Sequence, residues 1–173
     1  MPNQTPATGA PSPALAASTK DGQWTLDPSK AETFTLIVFY RGYHCPICKQ
    51  QLEQLNKDIG KFADKGVEVV AISMDSEDRF GKTADEWDIS DVTVAYDLDE
   101  QTARDWGLYI STAISNKEPD RFSEPGLFLI KPDGVLFAAS IQSMPFARPQ
   151  LNDILGAVDF ILNKDYPPRG VAT

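Results

Sequence analysis

Both cysteines of the chain, Cys45 and Cys48, and its single histidine, His44, lie in one stretch, FYRGYHCPICKQQL, Phe39–Leu52. Two thiols at this spacing can be inert core residues, half of a zinc site, or a redox pair. Two Cys and a neighbouring His leave a tetrahedral zinc shell incomplete and strain its geometry. Inert thiols have little reason to gather at a single junction of the chain. The redox pair fits best, and the residue order says which thiol does what. Pro46 suits the first position of a helix, where its missing N–H costs nothing. Cys45 then takes the N-cap, where its sulfur meets the unpaired N–H groups of Ile47 and Cys48. The helix dipole adds positive potential. Both effects favour thiolate, so Cys45 is the expected nucleophile. Cys48 lies one turn on, on the same face, at a spacing that suits a disulfide after modest adjustment. Arg41 and, if protonated, His44 would favour the Cys45 thiolate in the same way.

The elements around this stretch explain why it is placed there. TFTLIVFY, Thr33–Tyr40, is nearly all apolar and lacks two-residue alternation, which predicts a strand buried on both faces. From Pro46 the period becomes helical: Leu52, Leu55, Ile59 and Phe62 share a face, and Gly66 is placed to end the helix. Val67–Ser73 reads as a second buried strand, Ser76–Trp87 as a helix, Val92–Asp97 as a strand and Glu100–Trp106 as a short helix. Residues 108–125 read as a long polar loop. Gly126–Ile130 and Val135–Ser140 flank the turn KPDG and form a hairpin. Leu151, Ile154, Leu155, Val158, Ile161 and Leu162 mark a terminal amphipathic helix. Upstream, Ala14–Thr19 and Gln23–Leu26 flank KDG as a small hairpin. Alternating strands and helices imply an α/β fold with a central mixed sheet flanked by helices and an N-terminal hairpin extension. In such sheets ligands bind beyond the carboxyl ends of the strands, which is where Arg41–Cys48 falls.

At 173 residues the chain is most simply one domain. We expect a loose leader over 1–12, a domain over 13–165 and a tail over 166–173. A net charge of −9 disfavours nucleic acid and anionic membrane as partners. No stretch approaches the ~20 apolar residues of a membrane helix, and the first residues lack the basic and apolar regions of a secretory signal. The expected location is therefore the cytoplasm, where a close cysteine pair points to redox chemistry or metal rather than a structural bridge.

TLIVFYRGYHCPICKQQL resembles the thioredoxin-fold superfamily, and within it the peroxiredoxin-like branch of the alkyl hydroperoxide reductase/thiol-specific antioxidant family. The resemblance covers roughly residues 12–163. KDGQWTL resembles that family's opening hairpin, and GLFLIKPDGVLFAASIQSMPFARPQLNDIL its closing hairpin and helix. The resemblance implies a thioredoxin-like fold. It implies that Cys45 attacks a hydroperoxide and becomes a sulfenic acid, that Cys48 condenses with it, and that an external thioredoxin- or glutaredoxin-like dithiol restores both. No cofactor or metal is implied, and the protein is expected to be a monomer or homodimer. MPFARP resembles the family's LP-x-x-R segment and makes Arg148 a candidate helper of the site. The chain departs from the family where Val38 and Gly42 replace its usual Pro and Thr and where Pro125 replaces its usual Arg. Pro125 resembles instead the cis-proline of thioredoxins. Arg41, Gly42, His44, Pro46, Pro125 and Arg148 are thus the candidates for tuning the thiols. Glu124, beside Pro125, could face the site as a proton acceptor, although a plain surface carboxylate is the simpler reading. A protein-disulfide reductase or isomerase using the same thiols, and a redox sensor or binding module, remain open beside the peroxidase.

Overall fold

The computed structural model describes residues 4–173. At its centre is a mixed five-stranded sheet in the order β5-β4-β3-β8-β9. β3, Phe34–Phe39, is buried at every position. It runs parallel to β4, Val67–Ile72, and antiparallel to β8, Gly126–Ile130. Its side chains alternate between two cores, as the pleat requires. Phe34, Leu36 and Val38 face the core that holds both thiols and helix α1, Pro46–Asp64. Ile37 and Phe39 face a second core with Trp106 and Phe128. A strand clad on both faces has no polar face, hence the unbroken apolar run.

The remaining elements follow the sequence closely. β1, Ala16–Thr19, and β2, Gly22–Thr25, form the first hairpin. α2, Glu77–Glu86, β5, Thr93–Ala95, and α3, Glu100–Asp105, come next. β8 pairs with β9, Leu136–Ile141, and α4, Leu151–Lys164, closes the fold. α4 packs Leu151, Leu155 and Val158 inward, while Leu162, at the edge of that stripe, is exposed.

Two expectations are corrected. The stretch 108–125 is not one loop: β6, Ile110–Thr112, and β7, Arg121–Ser123, pair as a small antiparallel hairpin. Its strands are too short for alternation to register, and the only large apolar side chains that the stretch buries among the described residues are Leu108 and Phe122. Glu100 at the start of α3 accepts from Arg121 Nε at 2.6 Å and so pins this hairpin to the body. Nor is the leader loose where it is described. Gly9 N donates to Leu136 O at 2.8 Å, Leu136 N to Ala10 O at 2.9 Å and Ser12 N to Gly134 O at 2.9 Å. The leader satisfies backbone groups of an otherwise open edge strand, a role its Pro- and Ala-rich composition does not advertise. Residues 1–3 of that stretch lie outside the described residues. No helix among the described residues is long and apolar enough to cross a membrane.

Candidate active site

β3 ends at Phe39, and α1 starts at Pro46 with Cys45 as its N-cap. The sulfur of Cys45 accepts the backbone N–H of Cys48 at 3.2 Å. This is the N-cap interaction the sequence suggests, made to Cys48 rather than shared with Ile47. The Cys45 thiol is pulled from its ordinary 9.0 down to about 6. The Cys48 thiol, which donates to it, contributes most; burial opposes; the Cys48 N–H, the charge of Arg148 and a side-chain hydrogen bond from Arg41 add to the fall. Cys48 goes the other way, because burial and the charge forming on Cys45 push its thiol well up. The two sulfurs therefore divide as an ionised nucleophile and a protonated partner. Both are deeply buried, at 1% and 0% exposure.

Two arginines reach this pair from different elements. Arg148 stands in the irregular segment between β9 and α4, where Ala147 adopts a left-handed φ of 56°. Its Nε donates to Pro145 O at 2.6 Å and its Nη1 to Gln51 Oε1 at 2.6 Å. That fixes the fork so that Nη2 lies 3.0 Å from Cys48 Sγ and 3.8 Å from Cys45 Sγ. Arg41 follows β3. Its backbone N donates to Cys48 Sγ at 3.4 Å. Its Nε lies 2.9 Å from Glu124 Oε2, and its Nη2 4.0 Å from Glu118 Oε1. The Nε–H is not directed at that oxygen, so the contact is ionic rather than a well-formed hydrogen bond. The guanidinium also lies over the Phe122 ring, 4.9 Å from its centroid, a favourable cation–π arrangement.

Glu124 is therefore no surface carboxylate. It is 4% exposed, accepts from Ser111 Oγ at 2.8 Å and faces Arg41. Of the two readings of Glu124, the structure supports the one that turns it toward the site, for which its neighbour Pro125 is the only sequence signal. Gln51 was unmarked, although it lies one helical turn beyond Cys48.

His44 does not supply a positive charge. Burial and the neighbouring Arg41 lower its pKa to about 4, so the ring is neutral near pH 7. It packs edge-on against Phe122, with centroids 4.7 Å apart, and neither ring nitrogen has a partner. Gly42 has a steric task. Its φ is +135°, and a Cβ there would fall 2.5 Å from Asp75 Oδ1. The bare backbone lets the buried Asp75 accept the N–H of Tyr43 at 2.8 Å, while the Gly42 carbonyl accepts from Cys45 N at 3.1 Å. Burial raises the Asp75 pKa. Pro46 occupies the first turn of α1 as expected. The peptide bond before Pro125 is trans, not the cis bond that the likeness to thioredoxins implies. Pro125 O accepts from Gln142 N at 3.0 Å and so ties the end of β7 to the segment leading to Arg148. An open groove lined by Trp24, Phe80 and Trp87 includes neither thiol.

A model of the AhpC/TSA family matches residues 8–139. The mitochondrial thioredoxin-dependent peroxide reductase of Rattus norvegicus is 27% identical over 134 residues, covering 72% of this chain and 48% of that protein. Its Mus musculus counterpart is 26% identical over the same span. The chain thus spans about half the length of the curated relatives it matches. Among solved structures, the reduced 2-Cys peroxiredoxin of Plasmodium vivax superposes with a TM-score of 0.72 at 18% identity, over 92% of this chain and 99% of that one. A mutant of the peroxiredoxin 6 of Arenicola marina gives 0.76 at 16% identity, over 97% and 86%. The fold is the thioredoxin-like one shared by these proteins.

Proposed function

The chain belongs to the AhpC/TSA family, and on that premise we propose that it is a thiol peroxidase. The Cys45 thiolate attacks a hydroperoxide oxygen. The O–O bond breaks, the alcohol or water leaves with a proton, and Cys45 becomes a sulfenic acid. Cys48 condenses with it to a disulfide, and an external thioredoxin- or glutaredoxin-like dithiol returns both thiols by exchange. A reducing cytoplasm, in which the thiols persist between turnovers, suits this cycle.

One observation carries the reading. A thiolate held at about pKa 6 at a helix N-terminus faces a protonated thiol one turn away, with guanidinium groups beside both. Neither Val38, buried in β3, nor Gly42 supplies a hydroxyl, so the donors left to steady the breaking O–O bond are Arg41 and Arg148. The test is the second-order rate at which reduced protein loses its Cys45 thiolate to hydrogen peroxide and to an organic hydroperoxide. A rate orders of magnitude above that of a free thiolate of matched pKa supports the peroxidase. A rate no better than the free thiolate refutes it and favours the disulfide reductase, which needs only the lowered pKa and the paired thiols.

A further inference from the structure

We propose, resting on the cycle above, that Arg148 is the catalytic residue of its second half: it holds the Cys48 sulfur as a thiolate for attack on oxidised Cys45. The geometry points there first. Of the two sulfurs, Arg148 Nη2 is closer to Cys48, at 3.0 Å against 3.8 Å. Its other donors are fixed on Pro145 O and Gln51 Oε1, so the fork is oriented before any chemistry begins. Arg41 is held differently, between Glu124, Glu118 and the face of Phe122, and reaches Cys48 only with its backbone N–H.

The need for such a residue follows from burial. Cys48 is fully enclosed, and an enclosed thiol resists ionisation unless a positive charge is brought to it. While Cys45 is a thiolate, a second negative charge beside it is disfavoured, and Arg148 is shared between the two sulfurs. Once Cys45 is a neutral sulfenic acid, that repulsion is gone and the guanidinium stays where it was. Cys48 then ionises and attacks the Cys45 sulfur. The S–S bond forms and the S–O bond breaks. Hydroxide leaves and takes the proton Cys48 gave up, so water is released. Cys48 is oxidised by one electron equivalent, and the sulfenic sulfur is reduced by one. The order of steps is thus set by where the negative charge sits.

The test reads the Cys48 step with and without peroxide. Wild type, Arg148→Met and Arg148→Lys are treated with a stoichiometric pulse of hydrogen peroxide, and disulfide closure is timed by acid quench and intact mass. In parallel, Cys45 is converted to its S-methyl mixed disulfide with one equivalent of methyl methanethiosulfonate, and loss of methanethiol to Cys48 is followed by mass. Arg148→Met should slow both closures by about tenfold or more, as expected for losing a charge-assisted hydrogen bond. It should also move the pH midpoint of closure upward, and Arg148→Lys should recover part of the rate. Closure at wild-type rate and midpoint in Arg148→Met overturns the proposal, whatever happens to the peroxide step. If wild type reacts with peroxide no faster than a free thiolate, the peroxidase reading fails, yet the methanethiol arm still decides the role of Arg148.

Discussion

The backbone N–H of Cys48 donates to the sulfur of Cys45 at 3.2 Å, so the residue proposed to resolve also holds the proposed nucleophile. The two thiols are one titrating unit, and a change at either moves the other.

The first consequence is a pH profile. Cys45 is protonated and inert below about pH 6 and ionised above it. Alkylation of reduced protein by iodoacetamide should rise with pH through a midpoint near 6 and level off by pH 8. Replacing Cys48 with Ala removes the largest contribution to that lowered value, so the midpoint should move up toward the ordinary 9.0. Alkylation of the Cys48→Ala protein between pH 5 and 10 checks this, and an unmoved midpoint would mean that the helix end and the arginines suffice.

Cys48→Ser should react once with peroxide and stop. A sulfenic acid on Cys45 should then accumulate and be captured by dimedone as a single adduct in the intact mass. Cys45→Ser should consume no peroxide above the uncatalysed background, and activity persisting in that variant would sink the enzymatic readings together.

His44 is uncharged across the working range because its pKa is lowered to about 4. His44→Asn should therefore leave the Cys45 midpoint in place. Any effect on the peroxide rate should be independent of pH from 5 to 8. A shift of the midpoint in this variant would show that the ring carries charge after all.

Glu124→Ala should destabilise the protein by about 1–3 kcal/mol, because it removes the nearest carboxylate from a guanidinium that keeps only the more distant Glu118. Arg41 and Glu124 retain only 16% and 5% side-chain exposure. Glu124→Gln, which keeps the shape and the Ser111 contact, should cost less. Urea unfolding of the three proteins in reduced form gives the comparison, with midpoint shifts read at unchanged slope.

Gly42→Ala should cost about 1–3 kcal/mol from the strained φ alone. The Cβ also meets the Asp75 carboxylate, so the turn before Cys45 must shift and the peroxide rate should fall with stability. Thermal unfolding and the peroxide rate should decline together, whereas a stable but slow variant would assign Gly42 a direct part in the chemistry.

Much of this arrangement is legible before any coordinates. β3 announces itself because a strand clad on both faces must be apolar throughout, and Pro46 after Cys45 marks a helix start by the chemistry of unpaired N–H groups. Arg148 is different: its segment can be matched by likeness, but nothing local says that its fork points at sulfur. That depends on a left-handed Ala147 and on Gln51, which lies 97 residues away in sequence. Glu124 is illegible for a related reason. An isolated carboxylate reads as solvated, and only the β6–β7 pairing, itself too short to announce, turns it inward onto Arg41. His44 misleads because the sequence cannot show that its ring is enclosed beside a guanidinium. The residues that sequence reading misses are those whose environment is assembled from distant segments.

The near-complete enclosure of both sulfurs makes opposite demands on the two halves of a catalytic cycle. Small reagents need only slight movement of the side chains around the two sulfurs to reach them. A protein reductant, which must align its own sulfur with the disulfide, needs a wider opening. In the proposed cycle, recycling would therefore draw on loosening of the first turn of α1, and turnover would be metered by how often that turn opens. At saturating peroxide, throughput should track the softness of one helix end rather than the strength of any nucleophile.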